Sequence, residues 1–238
     1  RGYLSVSAAG HLQAGGQRIR FWGANLIGPG AFQSYGDAEV LARRLAKLGY
    51  NIVRWHHMDN DWGTGSIWAD SSLDRALNPD SQDMMDYLFN QLKQQGIYSN
   101  INLVVSRPFN PGTELDPSIS LITDVKIREA LGFFDPAALQ LQKNYAHDLL
   151  THVNPYTGMS YTQDPAVAIV EVNNENGMVQ AWMSQQFDNL PSYYSGLLNT
   201  AWNQWLVLKY GSEPLLESAW GITNTALGAE MLSNGDFS

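Results

Sequence analysis

Apolar residues in this chain fall into two alternating patterns. Short apolar runs of strand length are followed, after polar segments, by stretches whose apolar residues recur three or four positions apart. The runs predict strands over 19–26, 51–57, 97–105 and 166–172. The fourth run opens on an Asp164-Pro165 turn, is rich in β-branched residues and stops on Asn173, Asn174, Glu175 and Asn176. A run this short and unbroken reads as a strand buried on both faces, as in a parallel sheet. Between the runs, a helix over 37–49 starts at Asp37 as N-cap, buries Leu41, Leu45 and Leu48, and stops at Gly49. A second helix over 81–96 carries Met85, Leu88 and Leu92 on one face. A third follows a proline-rich loop, is capped by Asp135 with Pro136 in its first turn, and turns Leu139, Ala146, Leu149 and Leu150 inward. After the fourth run, 192–210 reads as an amphipathic helix with Leu197, Leu198, Ala201, Trp205 and Leu208 on its apolar side, and 215–220 as a short helical piece. Ahead of all this, glycines at 10, 15 and 16 punctuate a small hairpin.

Strand then helix, four times over, is the signature of a parallel sheet with crossover helices. In each unit the polar loop after the strand holds the Asn, His, Arg and Glu residues, whereas the loop before it is plainly structural. That asymmetry favours a (β/α)8 TIM-barrel type of α/β fold, whose function sits on one rim of loops. A doubly wound sheet is the runner-up, and the absence of a glycine-rich phosphate turn after any strand counts against it. The expected organisation is a hairpin over 1–18, the barrel segment over 19–221 and a linker or the start of a following module over 222–238. Only four of a barrel's eight strands are expected here.

Composition narrows the partners. Fourteen basic against 23 acidic residues give a net charge of −9, which argues against nucleic acid and anionic membrane surfaces. No apolar run approaches the roughly 20 residues of a membrane-spanning helix. The chain begins at Arg1 with no hydrophobic leader, so any targeting peptide is expected to have been removed or never included. With no cysteine, disulfides, thiolate metal sites and cysteine nucleophiles are excluded. The excess is aromatic, 8 Trp and 11 Tyr, several of them in polar loop contexts such as Trp62, Trp68, Trp182, Tyr193 and Tyr194. Rings so placed either pack under long loops or line a cleft that stacks on sugars.

Glu175 is the leading candidate for chemistry. A carboxylate flanked by amides at the carboxyl end of a buried strand lies where parallel α/β folds carry their reactions; the alternative is a loop or capping carboxylate. Arg54 falls within a buried strand and needs a partner, either Glu171 inside the barrel or a ligand. His56, His57 and Asp59 invite a metal, but adjacent histidines on a strand point to opposite faces, so no metal or other cofactor is expected and one histidine, His57, is assigned to the substrate cleft. Trp182 and Trp62 are either stacking platforms or loop anchors. No GxSxG elbow supports a Ser-His-Asp triad.

The segments FWGANL, LAKLGYNIVRWH, GIYSNINL and VEVNNEN, in this order, resemble the clan A glycoside hydrolases, and within them the cellulase-like families related to family 5. KYGS…LLESAWG resembles an excursion seen after the fourth strand of such enzymes, and LSNGDFS the opening of a β-sandwich carbohydrate-binding module. The resemblance implies a retaining glycosidase acting on a β-linked, neutral oligo- or polysaccharide outside the cell or in the periplasm. It makes Glu175 the general acid/base and Asn174 the ligand of the sugar 2-hydroxyl, with Arg54, His57, Asn102 and Trp182 as further substrate contacts. The family's nucleophile, a Glu after strand seven, has no counterpart in the sequence, and Val104 stands where the pattern often has a His. The missing half is therefore expected from downstream sequence, a second chain or a symmetric partner. The alternative is a non-catalytic carbohydrate-binding protein or an inactive fragment on a degenerate glycosidase fold.

Overall fold

Turn chemistry sets the first element of the fold. In a computed structural model describing residues 2–61, 65–69, 76–109 and 115–221, β1 (Leu4–Val6), β2 (Leu12–Ala14) and β3 (Gln17–Arg18) form an antiparallel meander. Gly15 and Gly16 sit between paired Ala14 and Gln17 with φ of 56° and 77°, the left-handed geometry a two-residue hairpin turn requires. Trp62 and the 222–238 segment, including LSNGDFS, lie outside the described residues.

The apolar runs then become the main sheet. Next along the chain are β4 (Gly23–Ile27), α1 (Tyr35–Lys47), β5 (Ile52–His56), α2 (Pro79–Gln94) and β6 (Tyr98–Val104). They are followed by α3 (Val125–Ala130), α4 (Pro136–Thr151), a small hairpin of β7 (Val153–Asn154) and β8 (Met159–Ser160), β9 (Val167–Asn173) and α5 (Met178–Met183). The sheet is parallel throughout in the order β4-β5-β6-β9. Sequential order without reversal is the winding of a barrel; a doubly wound sheet reverses it. The structure is thus a partial (β/α) barrel.

The sheet's two faces differ in chemistry because side chains alternate along each strand. Val53, Trp55, Ile101 and Leu103 pack outward against Ala38, Ala42 and Leu45 of α1, Met85, Leu88 and Leu92 of α2, and Tyr145 and Leu149 of α4. The other face carries Arg54, Asn100, Asn102 and Glu171, which bond to one another. A bulge makes that meeting possible. Register shifts between Ser99↔Val167 and Asn100↔Ile169, so Ala168 is an extra residue and Glu171 stands opposite Asn102. Without it Val170 would face Asn102, and Glu171 would point into the apolar layer.

Several expectations change. β9 is not buried on both faces: Ile169, Val170 and Val172 are exposed, because among the described residues β9 pairs only with β6. Ser34, not Asp37, caps α1; its Oγ accepts from the Asp37 amide, placing Asp37 inside the first turn. Leu48 is exposed because α1 ends at Lys47, so the residue lies past the last helical turn. Leu139 is also exposed, since the inward stripe of α4 runs through Ala138, Leu141, Tyr145 and Leu149. The proline-rich loop contains a helix, α3, whose cap Asp124 accepts from the Lys126 amide. Asp135 does cap α4, with Pro136 at its first position.

The chain divides into two compact units, Arg1–Ser195 and Gly196–Ser238, with the boundary inside α6 (Ser192–Tyr210). In the second unit, α7 (Glu213–Trp220) follows α6 and is closed by Gly221 at φ 69°. Trp205 and Leu208, expected on a buried stripe, are exposed. Trp205 instead stacks on Trp202 with ring centroids 5.0 Å apart and lies 4.5 Å from Lys209 Nζ.

Leu88 is fully buried between sheet and helices. Leu88→Ala is expected to cost about 2–5 kcal/mol, read as a lower denaturant midpoint with an unchanged m-value.

Candidate active site

At the carboxyl ends of β5, β6 and β9 the polar face of the sheet is organised by one ion pair. Arg54 Nε and Nη2 donate to the Glu171 carboxylate at 2.8 and 2.6 Å, a two-pronged contact across β6. Asn100 and Asn102 donate to the same carboxylate at 2.5 and 2.7 Å. Because an ionised carboxylate only accepts, both amide nitrogens must face it. The Asn102 oxygen then accepts from Arg54 at 3.4 Å and from His56 Nδ1 at 2.8 Å, which puts the His56 proton on Nδ1. Arg54 Nη2 also donates to the Asn174 side-chain oxygen at 2.9 Å, so the Asn174 NH2 group is turned away from the arginine. The bond to Glu171 raises the Arg54 pKa, and the bond to Arg54 lowers that of Glu171.

Two residues at this rim, His57 and Glu175, leave their strands in the left-handed region, with φ of 57° and 56°. Such backbone costs on the order of 1 kcal/mol or more for residues with a Cβ and clusters at functional sites. The turn at His57 overturns the expectation that the two histidines face opposite ways. β5 ends at His56, so strand alternation no longer applies, and the two rings lie 4.0 Å apart at 59°. His57 Nδ1 is 2.5 Å from Ser106 Oγ. Burial first, then His56, Lys126 and Arg54, push the His57 pKa down to about 4, so the ring is neutral at neutral pH. Among the described residues no three His, Asp or Glu side chains are grouped to hold a metal.

Glu175 is exposed. Its charge is felt by both Arg54 and His57, which places it at the same rim. The backbone leading to it is tied down: the Asn174 amide donates to Val104 O at 2.9 Å, and Asn176 Nδ2 donates to Asn173 Oδ1 at 3.1 Å. A small pocket of about 100 Å³ beside Glu175 is lined by Asp124, Lys126, Asn176, Gln180 and Gln186. Trp182 is on α5 rather than in a loop, and it is exposed with Val179 and Met183. The structure thus brings Glu175, Asn174, Arg54, Asn102 and His57 to one rim and sets Trp182 on the short helix that follows.

Several solved structures share this architecture over part of their length. An endo-1,4-β-mannanase from Rhizomucor miehei matches with a TM-score of 0.54 at 19% identity, over 73% of this chain and 48% of that one. A glycoside hydrolase family 5 mannosidase from the same organism matches at 0.56 and 16% identity, over 74% and 49%. What the chain shares with them is part of a (β/α) barrel fold. A mutant family 5 mannosidase from Rhizomucor miehei, in complex with mannosyl-fructose, matches at 0.56 and 14% identity, over 78% and 52%. This chain spans about half the length of these structures, and at such identities the likeness is one of fold. No protein-family model and no curated protein matches the chain.

Within a barrel frame, β4, β5, β6 and β9 are four successive strands, and the polar face is the barrel interior. Beneath the rim lie charged residues that the sequence reading missed or read differently. Asp59, fully buried, accepts from the amides of Val105 and Ser106 at 2.9 and 3.1 Å. Buried Glu129 accepts from the Arg107 amide at 2.8 Å. Arg107 donates to Leu141 O at 2.8 Å and lies 4.6 Å from the rings of both Trp68 and Phe109. The loop after β6 is therefore held through its own peptide groups by buried carboxylates. From sequence Asp59 suggests only a metal ligand, and Glu129 and Lys126 lie on α3, within the stretch expected to be a proline-rich loop. The Asp124 cap and the Ile127, Ala130, Leu131 spacing were the available signal for that helix.

Burial raises the Asp59 pKa to about 6 and the Glu129 pKa to about 8, outweighing for Glu129 its 3.3 Å contact with Lys126. A carboxyl whose folded pKa lies above its unfolded value holds a proton that the unfolded chain has already released. Its contribution to stability therefore falls as pH rises through that window. Between about 4.5 and about 8, Glu129→Gln is expected to flatten the loss of stability with pH, measured as urea midpoints across that range.

Proposed function

We propose that this chain supplies the acid/base half of a retaining glycosidase site, acting on β-linked, neutral glycans of the β-mannan type outside the cytoplasm. The observation that carries the reading is Glu175 with its neighbour Asn174 at the carboxyl end of the fourth barrel strand, beside the Arg54–Glu171 pair. The mannanase and mannosidase neighbours support the choice of sugar.

The chemistry needs two carboxyl groups. Glu175 donates a proton to the glycosidic oxygen as the bond breaks, then takes one from the water that completes the cycle. A second, ionised carboxylate about 5 Å away attacks the anomeric carbon to give the covalent glycosyl intermediate. Asn174, its oxygen engaged by Arg54, presents its NH2 group to the sugar 2-hydroxyl. His57, Asn102 and exposed Trp182 extend the binding surface, the tryptophan as a flat ring for a sugar face.

The second carboxylate belongs to the half of the barrel that completes the sheet, whether downstream sequence, a second chain or a symmetric partner. β4 and β9 each pair on one side only among the described residues, and such edges are normally covered. The inner face between them is an open trough of about 370 Å³ lined by Phe21, Asn25, Arg54, Asn100 and Ile169. Asn100 Oδ1 is buried there without a hydrogen-bond partner among the described residues, which fits a donor arriving from the completing half.

In the completed protein, aryl β-mannoside hydrolysis is expected to fall by about 10²–10⁴ on Glu175→Gln. Unchanged turnover would reject the assignment, and affinity for the glycan with no turnover in either form would favour a binding protein. For the chain alone, amide exchange along β9 is expected to slow when the completing half is added. Full protection without it, in a monomer, would exclude completion.

A further inference from the structure

Lys126 is placed unlike an ordinary surface lysine. A lysine on a helix surface is ordinarily solvated, its ammonium ion contacting water. Here the side chain is only 24% exposed, and its Nζ meets three protein acceptors. It donates to the carbonyl oxygen of Val105, the residue just after β6, and to that of Asn174 at 2.8 Å. Its third contact is the carboxylate of Glu129 at 3.3 Å, one turn along α3. An ammonium group has three protons, and these acceptors use all of them.

The two carbonyls belong to different strands of the barrel. Val105 follows β6 and Asn174 follows β9, and the ammonium ion bridges them just past the last strand-to-strand bond, Asn174 N to Val104 O at 2.9 Å. The residue after Asn174 is Glu175, held at φ 56°. The bridge therefore acts on the peptide that carries the candidate acid/base, at the point where the chain leaves the strand with unfavourable backbone geometry. Asp59 and Glu129 grip the same loop from below through the Val105, Ser106 and Arg107 amides, so the Val105 end of the bridge is itself fixed.

We infer that Lys126 is a positioning residue, which clamps the Asn174–Glu175 segment to the end of β6 and so sets where the Glu175 carboxyl points. The catalytic meaning of the clamp rests on the glycosidase reading; the clamp itself does not.

Lys126→Met keeps the aliphatic stem and removes the charge and the donors, and Lys126→Arg restores a cation. In the full chain, Lys126→Met is expected to speed hydrogen exchange at the Asn174 amide roughly tenfold or more. It is also expected to raise the His57 pKa, because Lys126 is one of the cations holding it down, with His56 and Arg54, against Glu175. Lys126→Arg should restore part of both. In the completed protein, Lys126→Met should lower kcat with little change in KM. A folded Lys126→Met with unaltered Asn174 exchange and an unaltered His57 titration overturns the inference. Should that variant fail to fold, the wild-type ammonium group decides: a slowly exchanging 15N signal for Lys126 supports the clamp, and one exchanging like a surface lysine overturns it. The two readings fail separately. If Lys126→Met loosens the segment while Glu175→Gln leaves hydrolysis intact, the clamp stands and the glycosidase assignment falls. If Glu175→Gln abolishes hydrolysis and Lys126→Met changes nothing, only the clamp falls.

Discussion

One carboxylate gives the site its direction. Glu171 takes two bonds from Arg54 and one each from Asn100 and Asn102, and because it can only accept, every neighbour must present a donor. From that single constraint the Asn102 oxygen turns to His56, the His56 proton is assigned to Nδ1, and the Asn174 amide is oriented by the donor Arg54 has left. The pair is about one quarter exposed on each side, so it is neither a surface contact nor a dry interior one. Removing one partner would leave the other's charge uncompensated, which is the costly way to break such a pair. The bond's effect on the two pKa values agrees in sense, raising Arg54 and lowering Glu171, so each holds the other charged.

The carboxyl groups of the inner face and those under the loop after β6 behave oppositely. Glu171, on the inner face, has an arginine and two amides in reach, and its charge is stabilised. Asp59 and Glu129, packed outside the strands' ends, are answered mainly by peptide N–H groups, and burial raises both. The first arrangement keeps a compensated charge inside the barrel. The second spends buried carboxyl groups on shaping a loop, at a cost in stability that grows as the pH rises.

Much of this was legible from the residues. Four strand-length apolar runs, the Asp135-Pro136 cap and the polar loops after each strand were enough to reach a barrel-type sheet and to place Glu175 at its rim; Asn174, Arg54 and Asn102 entered as substrate contacts through the resemblance. What escaped depends on register and on neighbours. The Ala168 bulge decides that Glu171 meets Arg54, and no local pattern in VAIVEVN marks it. The left-handed turn at His57 breaks the alternation on which the two-face argument about the histidines relied. β9 has the composition of a fully buried strand, yet Val172 is 63% exposed, because burial belongs to what packs on a strand and not to the strand itself. The helix that carries Lys126 and Glu129 is only six residues long, too short for its periodicity to stand out beside the prolines around it.

The strain at Glu175 connects these observations. A non-glycine residue in the left-handed region persists only where its surroundings hold it there. Here the segment is fixed from the strand side by Asn174 N to Val104 O, from its own turn by Asn176 to Asn173, and from α3 by Lys126 to Asn174 O. None of the three uses the Glu175 side chain. Among the described residues the exposed carboxylate is thus placed by its backbone and makes no hydrogen bond that ties it into the fold. A carboxylate serving the fold would be expected to look like Asp59, buried with its oxygens filled by amides. Support converging on a residue whose functional group is kept out of the supporting bonds is the arrangement that the proposed acid/base role asks of Glu175.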